Sequence, residues 1–364
     1  MRLQEVQYHN VRNLKDGALD LAPHLTWIYG DNGAGKTSIL ESIYLLGTGH
    51  SFRTNTIDRV ISHEQSQFIV FARGQEDGLE HRIGLQRDRN GQMVIRLNGN
   101  DVRRLADIAM LLPILAFTPD SYQLLSGSPK ERRRYLDWGV FHVEHRFAEV
   151  HSRFSKTLRH RNALLRQQAS REELNLWTRH LVNESIKLNE FRQQYWQQLA
   201  PVIESVLTQL YPNNEVSFGF YPGWTGELEQ VMADHLDKDI EAGSTRFGPQ
   251  RADIRCRIGR VSADEELSRG QNKLVVQSLL LAQIRLFSQL TGRSGVLLLD
   301  DIGGELDQGR FESLLNEVLA LEHWQVIVSA TEIGPKRLLK EYNSAMFHVE
   351  HGQVKPVTVD HEQH

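Results

Sequence analysis

The stretch LTWIYGDNGAGKTSILESIYLL, at residues 25–46, decides the fold of this chain. Its first five residues form a compact apolar run that predicts a β-strand ending at Gly30. From Ile39 onward the apolar residues follow a helical spacing, and we expect that helix to stop at Gly47. A strand that passes through a glycine-rich turn into a helix predicts an α/β fold.

The turn itself, GDNGAGKT at 30–37, fits the pattern G-x-x-x-x-G-K-[ST]. Its glycines let the backbone approach phosphate oxygens and aim N–H groups at them. Lys36 is expected to neutralise the β- and γ-phosphates of ATP, and Thr37 to ligate Mg²⁺. An ordinary glycine-rich turn is the alternative interpretation. The candidate ATP-binding residues of this segment are Gly30, Asp31, Asn32, Gly33, Ala34, Gly35, Lys36, Thr37 and Ser38.

A second apolar strand, VLLLD at 296–300, ends in a carboxylate that a metal beside Thr37 requires. Asp300 is therefore the second candidate Mg²⁺ ligand, and Asp301 is placed to polarise an attacking water. Two acids at the end of a strand can also be a solvated helix cap. Together with the phosphate loop, they predict a nucleotide hydrolase in which Lys36 and Asp301 are catalytic.

The segment LSRGQ, at 267–271, precedes a long helical pattern. Ser268 and Gln271 fit a capping box, in which each side chain bonds the backbone N–H of the other residue. The same helix start suits an anion, because free N–H groups and a serine hydroxyl can donate to phosphate oxygens. A capped helix alone needs no nucleotide, so the residues leave both interpretations open.

The order of these three motifs resembles that of ABC-type ATPases, whose LSGGQ-like signature follows the phosphate loop and precedes the second acidic strand. The resemblance implies a homodimer in which the signature binds the γ-phosphate held by the other subunit. GELD at 304–307 resembles the D-loop of that family and points to Asp307. The signature residues implied are Ser268, Arg269, Gly270 and Gln271.

Two further segments resemble elements of this superfamily. NVRNL, at 10–14, is similar to the FRN element of DNA-repair and SMC-like heads, in which Arg12 and Asn13 would contact the nucleotide. Transporter ATPases carry a switch histidine after the strand VIVS, where this chain has an alanine followed by Thr331. Thr331 is therefore the candidate γ-phosphate sensor.

FTPDSYQLLSGSPKERRRYLDWG (117–139) and FGPQRADI (247–254) resemble the RecF family of DNA-repair proteins, and this resemblance covers essentially the whole chain. It implies two subunits that sandwich two ATP molecules and grip DNA, preferably gapped duplex or single-/double-strand junctions. It also implies action with RecR and, through it, RecO and RecA in gap repair, replication restart and SOS induction. Hydrolysis is expected to be weak, because Asp301 is one methylene shorter than the glutamate common there. The resemblance also implies that DNA stimulates it.

The predicted elements divide the chain into an ATP-binding head and an inserted arm. Residues 66–98 predict a β meander with Asn-Gly turns. The apolar spacing from 124 to 211 predicts an antiparallel helical pair, whose second helix is roughly 50 Å long at 1.5 Å per residue. We expect an α/β, ABC-type head (a P-loop NTPase) from residues 1–122 and 212–364, with a helical arm at 123–211.

Basic residues concentrate at the start of the predicted arm. Ten lysines and arginines between 124 and 170 face four acids, in a protein of net charge −4. A solvated helix face is one interpretation, since many arginines simply coat helices. The other is a stripe of DNA-phosphate contacts that includes Arg153, Lys156 and Arg159. The arginines of SPKERRRYLD (128–137) have a structural alternative, in which they pack the arm against the head.

Composition excludes several classes of protein. Of the 364 residues, 40% are hydrophobic, which is enough for a core and argues against wholesale disorder. A net charge of −4 excludes a uniformly basic nucleic-acid binder, and one cysteine excludes a disulfide framework or a cysteine-rich zinc module. No signal-peptide pattern is visible, and apolar runs such as LVVQSLLLA (274–282) are too short for a bilayer. We expect a cytoplasmic protein with no membrane role.

Two other functions deserve comparison. A transporter-type ATPase subunit would carry a switch histidine and a shorter insertion than the roughly 230 residues between Lys36 and Ser268. A structural, ATP-binding SMC-like clamp would bind nucleotide without useful turnover. Measuring ATP hydrolysis with and without gapped DNA separates this clamp from a working ATPase.

Overall fold

The computed structural model of the chain describes residues 1–301, 308–321 and 323–358. They form two compact units, one made of Met1–Ser121 with the residues from Gly292 onward, and the other of Tyr122–Thr291. The first unit is therefore built from two separate stretches of chain, and the second from one.

Strand-rich and helical stretches alternate along the chain. In chain order the strands are β1 (Arg2–His9), β2 (Gly17–Asp20), β3 (Leu25–Tyr29), β4 (Gln67–Glu76), β5 (Leu79–Asp88), β6 (Met93–Leu97), β7 (Asn100–Asp101), β8 (Ile114–Phe117), β9 (Val216–Tyr221), β10 (Asp253–Ile258), β11 (Val261–Ser262), β12 (Gly295–Asp300), β13 (Trp324–Ala330), β14 (Ala345–Glu350) and β15 (Gln353–Val357). The α-helices are α1 (Lys36–Thr48), α2 (Leu105–Leu111), α3 (Gln123–Ser126), α4 (Pro129–Val143), α5 (Phe147–Arg166), α6 (Arg171–Leu210), α7 (Leu228–Asp234), α8 (Leu236–Ala242), α9 (Ala263–Glu266), α10 (Arg269–Thr291), α11 (Gln308–Leu319) and α12 (Lys336–Glu341).

A mixed, mostly parallel sheet in the first unit carries the phosphate loop. Its strand order is β15-β14-β3-β13-β12-β8, with β15 antiparallel to β14 and the other pairs parallel. β12 and β13 are buried along their whole length, as central strands of a parallel sheet are. Asp300 pairs with Ser329, and Ala330 pairs with Tyr29, so the carboxyl ends of β12, β13 and β3 lie side by side. The loops after these strands therefore meet at one edge of the sheet.

The other sheet of this unit is antiparallel, in the order β2-β1-β4-β5-β6-β7. Asn98 and Gly99 join β6 to β7 with positive φ angles of 52° and 84°, as a type I′ hairpin turn requires. The β meander predicted from the sequence is thus confirmed. Fully buried side chains of this sheet, such as Val70, share one hydrophobic core with Ile39 and Ile43 of α1, so the core anchors the helix that follows the phosphate loop.

The end of α1 corrects one prediction, because the helix continues through Gly47 to Thr48. A Cβ atom on Gly47 would lie 2.9 Å from the Leu112 carbonyl oxygen, so this glycine allows close packing and does not end the helix. Gly49 is the cap: its φ is 65°, and its N–H donates to the Leu45 carbonyl at 2.7 Å.

In the second unit, α5 and α6 form the predicted helical pair. The connection of only four residues, 167–170, makes them antiparallel neighbours. α6 has 40 residues and a length of about 60 Å, longer than the sequence spacing predicts. The extra length lies at its N-terminus, where the Ser170 hydroxyl accepts a hydrogen bond from the Glu173 N–H.

The second unit extends well past the predicted arm. Residues 212–291, which we expected to belong with the head, cluster with the helical pair because α10 packs along α6 and α4 packs on β10. The Tyr135 hydroxyl donates to the Leu279 carbonyl at 2.7 Å, and Arg132 forms an ion pair with Asp253 at 2.7 Å. The border expected at 211/212 is therefore not a border of the compact units. The assignment of ATP binding to a head and of other contacts to an arm stays a prediction.

α10 also corrects the expectation that the apolar segments of the chain are too short to cross a bilayer. Among the helices in the described part of the chain, it alone is long and apolar enough to cross a membrane by length and composition. Polar residues such as Gln277 and Gln283 interrupt its apolar runs, yet both are buried, like most of the helix. This burial is typical of a core helix.

Candidate nucleotide site

A cavity of about 450 Å³ opens at the carboxyl edge of the parallel sheet, within the first unit. The phosphate loop, the loop after β1 and the end of β12 all reach it. The predicted site residues that line it are Arg12, Asn13, Asn32, Gly33, Gly35, Lys36, Thr37, Ser38 and Asp301. Arg53, Arg59 and Ile61 also line the cavity, although no motif in the sequence indicated them.

The shape of the phosphate loop depends on its glycines. Gly30 has a φ of 150°, and a Cβ atom there would lie 2.2 Å from the Val349 carbonyl oxygen. Gly35 has a φ of 120° and directly precedes α1, whose free N–H groups begin at this point. Gly33 has a φ of 79° and open space where a side chain would be, so its backbone is accessible to a ligand.

Lys36 is held at the centre of this loop. Its side chain is buried, and its ammonium donates to the carbonyl oxygens of Gly30 at 2.6 Å and Asp31 at 3.0 Å. Arg59 and the helix start add further positive potential around the same cavity. A cavity of this size and charge fits the phosphate chain of a nucleotide.

Thr37 and Asp300 meet as predicted. The Thr37 hydroxyl donates to Asp300 Oδ1 at 2.9 Å, and the Ser329 hydroxyl donates to the same oxygen at 2.6 Å. A hydroxyl and a carboxylate oxygen are the hard ligands that Mg²⁺ prefers, so these residues fit that cation. Burial raises the pKa of the Asp300 carboxyl, and the hydrogen bonds from Ser329 and Thr37 oppose that shift.

Ser329 also positions Asp301. The Asp301 N–H donates to both the carbonyl and the hydroxyl oxygen of Ser329, each at 3.1 Å. Asp301 has a φ of 49°, a left-handed conformation in which aspartate is one of the better tolerated residues. Thr331, two residues beyond Ser329, is exposed and does not line the cavity. The role of Thr331 as γ-phosphate sensor stays a prediction. The sequence did not indicate Ser329, because only the pairing of β12 with β13 brings Ser329 next to Asp300 and Asp301.

Replacing Ser329 with alanine is expected to weaken Mg²⁺-dependent ATP binding by roughly 10- to 150-fold at pH 7, because a hydrogen bond to a charged group contributes about 1.5–3 kcal/mol. The loss should grow as the pH falls. Without the serine donor the pKa of Asp300 rises further, so the ligating carboxylate protonates at a higher pH. Titrating Mg²⁺ at several pH values tests this expectation. Ser66→Ala, at an exposed serine of the first unit that does not line the cavity, is the matched control, and an equal loss there would contradict the role of Ser329.

The Arg12 side chain is held in place by a buried carboxylate. Its guanidinium donates to both carboxylate oxygens of Glu41, at 2.8 and 2.7 Å, and Glu41 is completely buried. The Ser51 hydroxyl donates to the same carboxylate, and an Arg53 nitrogen lies 3.7 Å from it. Glu41 therefore connects two cavity-lining arginines to α1, although the sequence offered no motif for this role.

Asn13 links the same loop to the phosphate loop. Its side-chain nitrogen donates to the Gly33 carbonyl at 3.0 Å, and its oxygen accepts from the Ser38 hydroxyl at 3.1 Å. Arg12 and Asn13 are thus brought to the cavity together, as the FRN-like segment predicts.

The signature-like segment lies in the second unit, and its predicted capping box is confirmed. The Ser268 N–H donates to Gln271 Oε1 at 2.8 Å, and the Gln271 N–H donates to the Ser268 hydroxyl at 3.3 Å. Ser268, Arg269 and Gly270 are exposed. Their contact with a nucleotide stays a prediction, and the predicted D-loop residue Asp307 lies outside the described residues.

The candidate DNA-binding residues of α5 have different surroundings. Arg153 donates to Glu184 at 3.1 Å and to Glu149, so carboxylates already engage it. Lys156 and Arg159 are exposed. Because Arg153 would have to exchange two partners for a phosphate, it is a weaker candidate than the sequence suggested.

Much of the positive charge counted in the sequence is structural. Arg161 is completely buried and donates to Asp239 and Thr178, each at 2.9 Å. Arg132 is paired with Asp253, as described above, and Arg133 donates to the Ala252 carbonyl at 2.8 Å. These arginines hold the second unit together, and they leave fewer free cations on α4 and α5 than the composition suggests.

Comparisons with known proteins agree with this geometry. The family model described as the RecF/RecN/SMC N terminal domain matches residues 2–354. The DNA replication and repair protein RecF of Pseudoalteromonas atlantica is 38% identical over 361 residues, which cover 98% of this chain and 99% of that protein. The protein of the same description from Pseudomonas syringae pv. tomato is 40% identical over 373 residues, which cover all of both chains.

Solved structures give the same result. A structure described as the recombination mediator protein RecF with ATP, in the RecFOR pathway, has a TM-score of 0.88 and 25% identity, covering 98% of each chain. An SMC head bound to the C-winged helix domain of ScpA has a TM-score of 0.59 and 15% identity, covering 98% of this chain and 97% of that one, and supports the fold alone. The predicted α/β, ABC-type ATPase fold is thereby confirmed.

Proposed function

Starting from the RecF/RecN/SMC family, to which this chain belongs as a RecF-type member, we propose that it is an ATP-hydrolysing, DNA-binding protein of replication and repair. The observation that carries this function is the cavity where Lys36, Thr37 and Asp301 meet at the edge of the sheet. Membership of this family also argues against the alternative of a transporter-type ATPase subunit.

Phosphate binding is the first step. The backbone N–H groups at the start of α1 and the Lys36 ammonium receive the phosphate chain of ATP, while Arg12, fixed by Glu41, adds a cation at the cavity wall. Thr37 and Asp300 would hold Mg²⁺ between them. A bound Mg²⁺ ion supplies neutralisation of charge on the phosphates.

Hydrolysis then depends on Asp301, which orients a water and accepts its proton. Ser329 holds the backbone of Asp301 through two hydrogen bonds, which fixes the point on the cavity wall from which the Asp301 side chain extends. The side chain is one methylene shorter than glutamate and reaches less far. We therefore propose slow turnover that acts as a timer for release. We also propose that DNA stimulates this turnover.

The active site is proposed to be composite. Ser268, Arg269 and Gly270 form an exposed helix start, capped by Gln271, whose free donors suit a γ-phosphate. In the proposed homodimer each chain offers this signature to the ATP held by the other chain. ATP binding thus favours dimerisation, and hydrolysis reverses it.

The proposed biological role follows the relatives. The dimer grips gapped duplex or single-/double-strand junctions in the cytoplasm and assists RecA loading with RecR and RecO. Gap repair, replication restart and SOS induction are the processes it serves. The similarity to a recombination mediator of the RecFOR pathway supports this assignment.

One experiment tests the core of the proposal, namely the mass and turnover of the chain in ATP or ADP, with and without gapped DNA. We expect dimers in ATP, monomers in ADP, and faster hydrolysis with DNA. Ser268→Arg is the informative variant. It should bind ATP through its own phosphate loop but remain monomeric, since the arginine blocks the helix start. A Ser268→Arg chain that dimerises like the wild type would contradict the composite site, and absence of hydrolysis under every condition would favour the structural clamp.

A further inference from the structure

Three arginines lie together on the small antiparallel sheet of the second unit, formed by β11-β10-β9. Arg255 and Arg257 are two residues apart on β10, so they project from one face, roughly 6.8 Å from each other. Arg260 lies in the two-residue turn between β10 and β11. All three are exposed and line one depression of about 280 Å³. We call these three side chains the arginine face.

The positive charge of the arginine face exceeds the negative charge beside it, because the depression is lined by four arginines, Arg132 included, and two aspartates. Two acids, Asp253 and Asp264, line the same depression. Asp253 is engaged by Arg132 through two hydrogen bonds, at 2.7 and 3.3 Å, and Asp264 accepts from the Ser262 hydroxyl. Within the part of the chain that the structure describes, none of the three arginines forms an ion pair.

The surface around these arginines is polar, and one of them is held in a fixed orientation. The Arg255 guanidinium lies 4.0 Å from the centre of the Tyr221 ring, which holds its planar donors in one orientation. Gly219 pairs with Arg255 across the sheet, and a Cβ atom there would meet nothing within 4 Å. Ser217 pairs with Arg257 and is exposed. A partner can therefore approach the middle of the sheet closely.

We propose that the arginine face binds the phosphate backbone of DNA. This inference rests on the proposed function. It places DNA contacts on the small sheet, whereas the sequence pattern pointed to α5. Guanidinium groups match phosphate oxygens with two donors each. The 6.8 Å repeat of alternate strand residues corresponds to the rise of roughly two phosphates of one DNA strand, at 3.4 Å each along the helix axis.

Charge and shape favour a nucleic acid over an acidic protein as the occupant. Protein partners anchor through buried aromatic or aliphatic side chains in pockets. The surface beside the arginine face offers serines and a glycine, and Val261 is the large apolar side chain exposed there, at 39%. Two arginines on one strand face, with a third in the adjoining turn, suit a polyanion whose charges repeat along its length.

The test compares two double variants of the full chain that lose equal charge. Arg257→Gln with Arg260→Gln alters the arginine face, and Lys156→Gln with Arg159→Gln alters exposed cations of α5. Affinity for duplex and single-stranded oligonucleotides is measured across a salt series. We expect the first variant to lose about 0.9 in the salt slope for each of its two duplex contacts, hence about 60-fold in affinity at 0.1 M salt. For single strands the loss is about 0.7 per contact. The α5 variant should match the wild type.

Further outcomes decide between the alternatives. Arg257→Lys with Arg260→Lys keeps the charge and should keep most of the slope. A slope lost equally in the lysine and glutamine variants would indicate structural disruption and overturn the proposal. A wild-type slope in the glutamine variant would also overturn it, as would loss confined to the α5 variant. Poly-glutamate binding lost in the glutamine variant, with DNA binding intact, would identify an acidic protein partner instead. Failure of the wild-type chain to bind DNA would refute the proposed function itself.

Discussion

Replacing Lys36 with alanine is expected to weaken ATP binding by at least about 30-fold and to abolish ATP-dependent dimerisation. The ammonium is buried within the phosphate loop, so its loss leaves the γ-phosphate facing a cavity without its main counter-charge. Truncating one partner of a buried charge pair costs about 2–5 kcal/mol. Equilibrium binding of a fluorescent ATP analogue, together with the molecular mass in ATP, measures both effects.

Two controls separate charge from loop structure in this experiment. Lys36 also donates to the Gly30 and Asp31 carbonyls, so alanine should lower the free energy of unfolding by about 1–2 kcal/mol without nucleotide. Lys36→Met retains the apolar stem but not the charge, and we expect it to lose ATP binding equally. Lys15→Ala removes an exposed cation that does not line the cavity and should behave as wild type. Near-normal ATP binding by the methionine variant would show that charge neutralisation is not the role of Lys36.

Asp301→Asn is expected to reduce ATP hydrolysis by at least about a hundredfold while ATP binding changes only a few-fold, because a positioned general base contributes about 10²–10⁴ in rate. Asparagine suits this site since it tolerates the left-handed φ of 49° and keeps both backbone bonds to Ser329. The closed dimer should therefore persist on DNA. Single-turnover hydrolysis and dimer lifetime after ATP removal are the measurements.

Asp300→Asn is the matched control, because it changes the neighbouring acid by the same atoms. It should lose Mg²⁺-dependent ATP binding, since Asp300 accepts from Thr37 and fits the metal. The two variants thus fail at different steps. Equal dimer lifetimes in wild type and Asp301→Asn would show that Asp301 is not the hydrolytic residue.

The site was predictable where its residues are close in sequence. Eight consecutive residues are enough to predict the phosphate loop, and four are enough to predict the capping box of Ser268 and Gln271. Both are local motifs, in which backbone conformation and side-chain identity depend on immediate neighbours. Glu41 and Ser329 carry no such signal. Each becomes functional only because sheet pairing or helix packing brings it to a partner that is distant along the chain.

The charge and the domain border were harder to predict for the same reason. A count of arginines cannot distinguish Arg161, which is buried against Asp239, from exposed residues such as Arg257. Likewise, residues 212–291 look like a return to the head because their strand and helix patterns resemble those of the first unit. Only the packing of α10 on α6 assigns them to the second unit.

The two separate stretches of the first unit also determine when it can form on the ribosome. β3 leads into the phosphate loop, but its sheet neighbours are β13 and β14, which lie some three hundred residues later in the chain. At a translation rate of about 5–20 residues per second, about 15–60 s pass between synthesis of Tyr29 and of Ala345. The second unit is contiguous and its last residue, Thr291, emerges earlier. The nucleotide-binding sheet is therefore the last part of the nascent chain to form. Until β13 and β14 are made, the apolar side chains of β3 must be shielded from water by contacts that the folded protein does not contain.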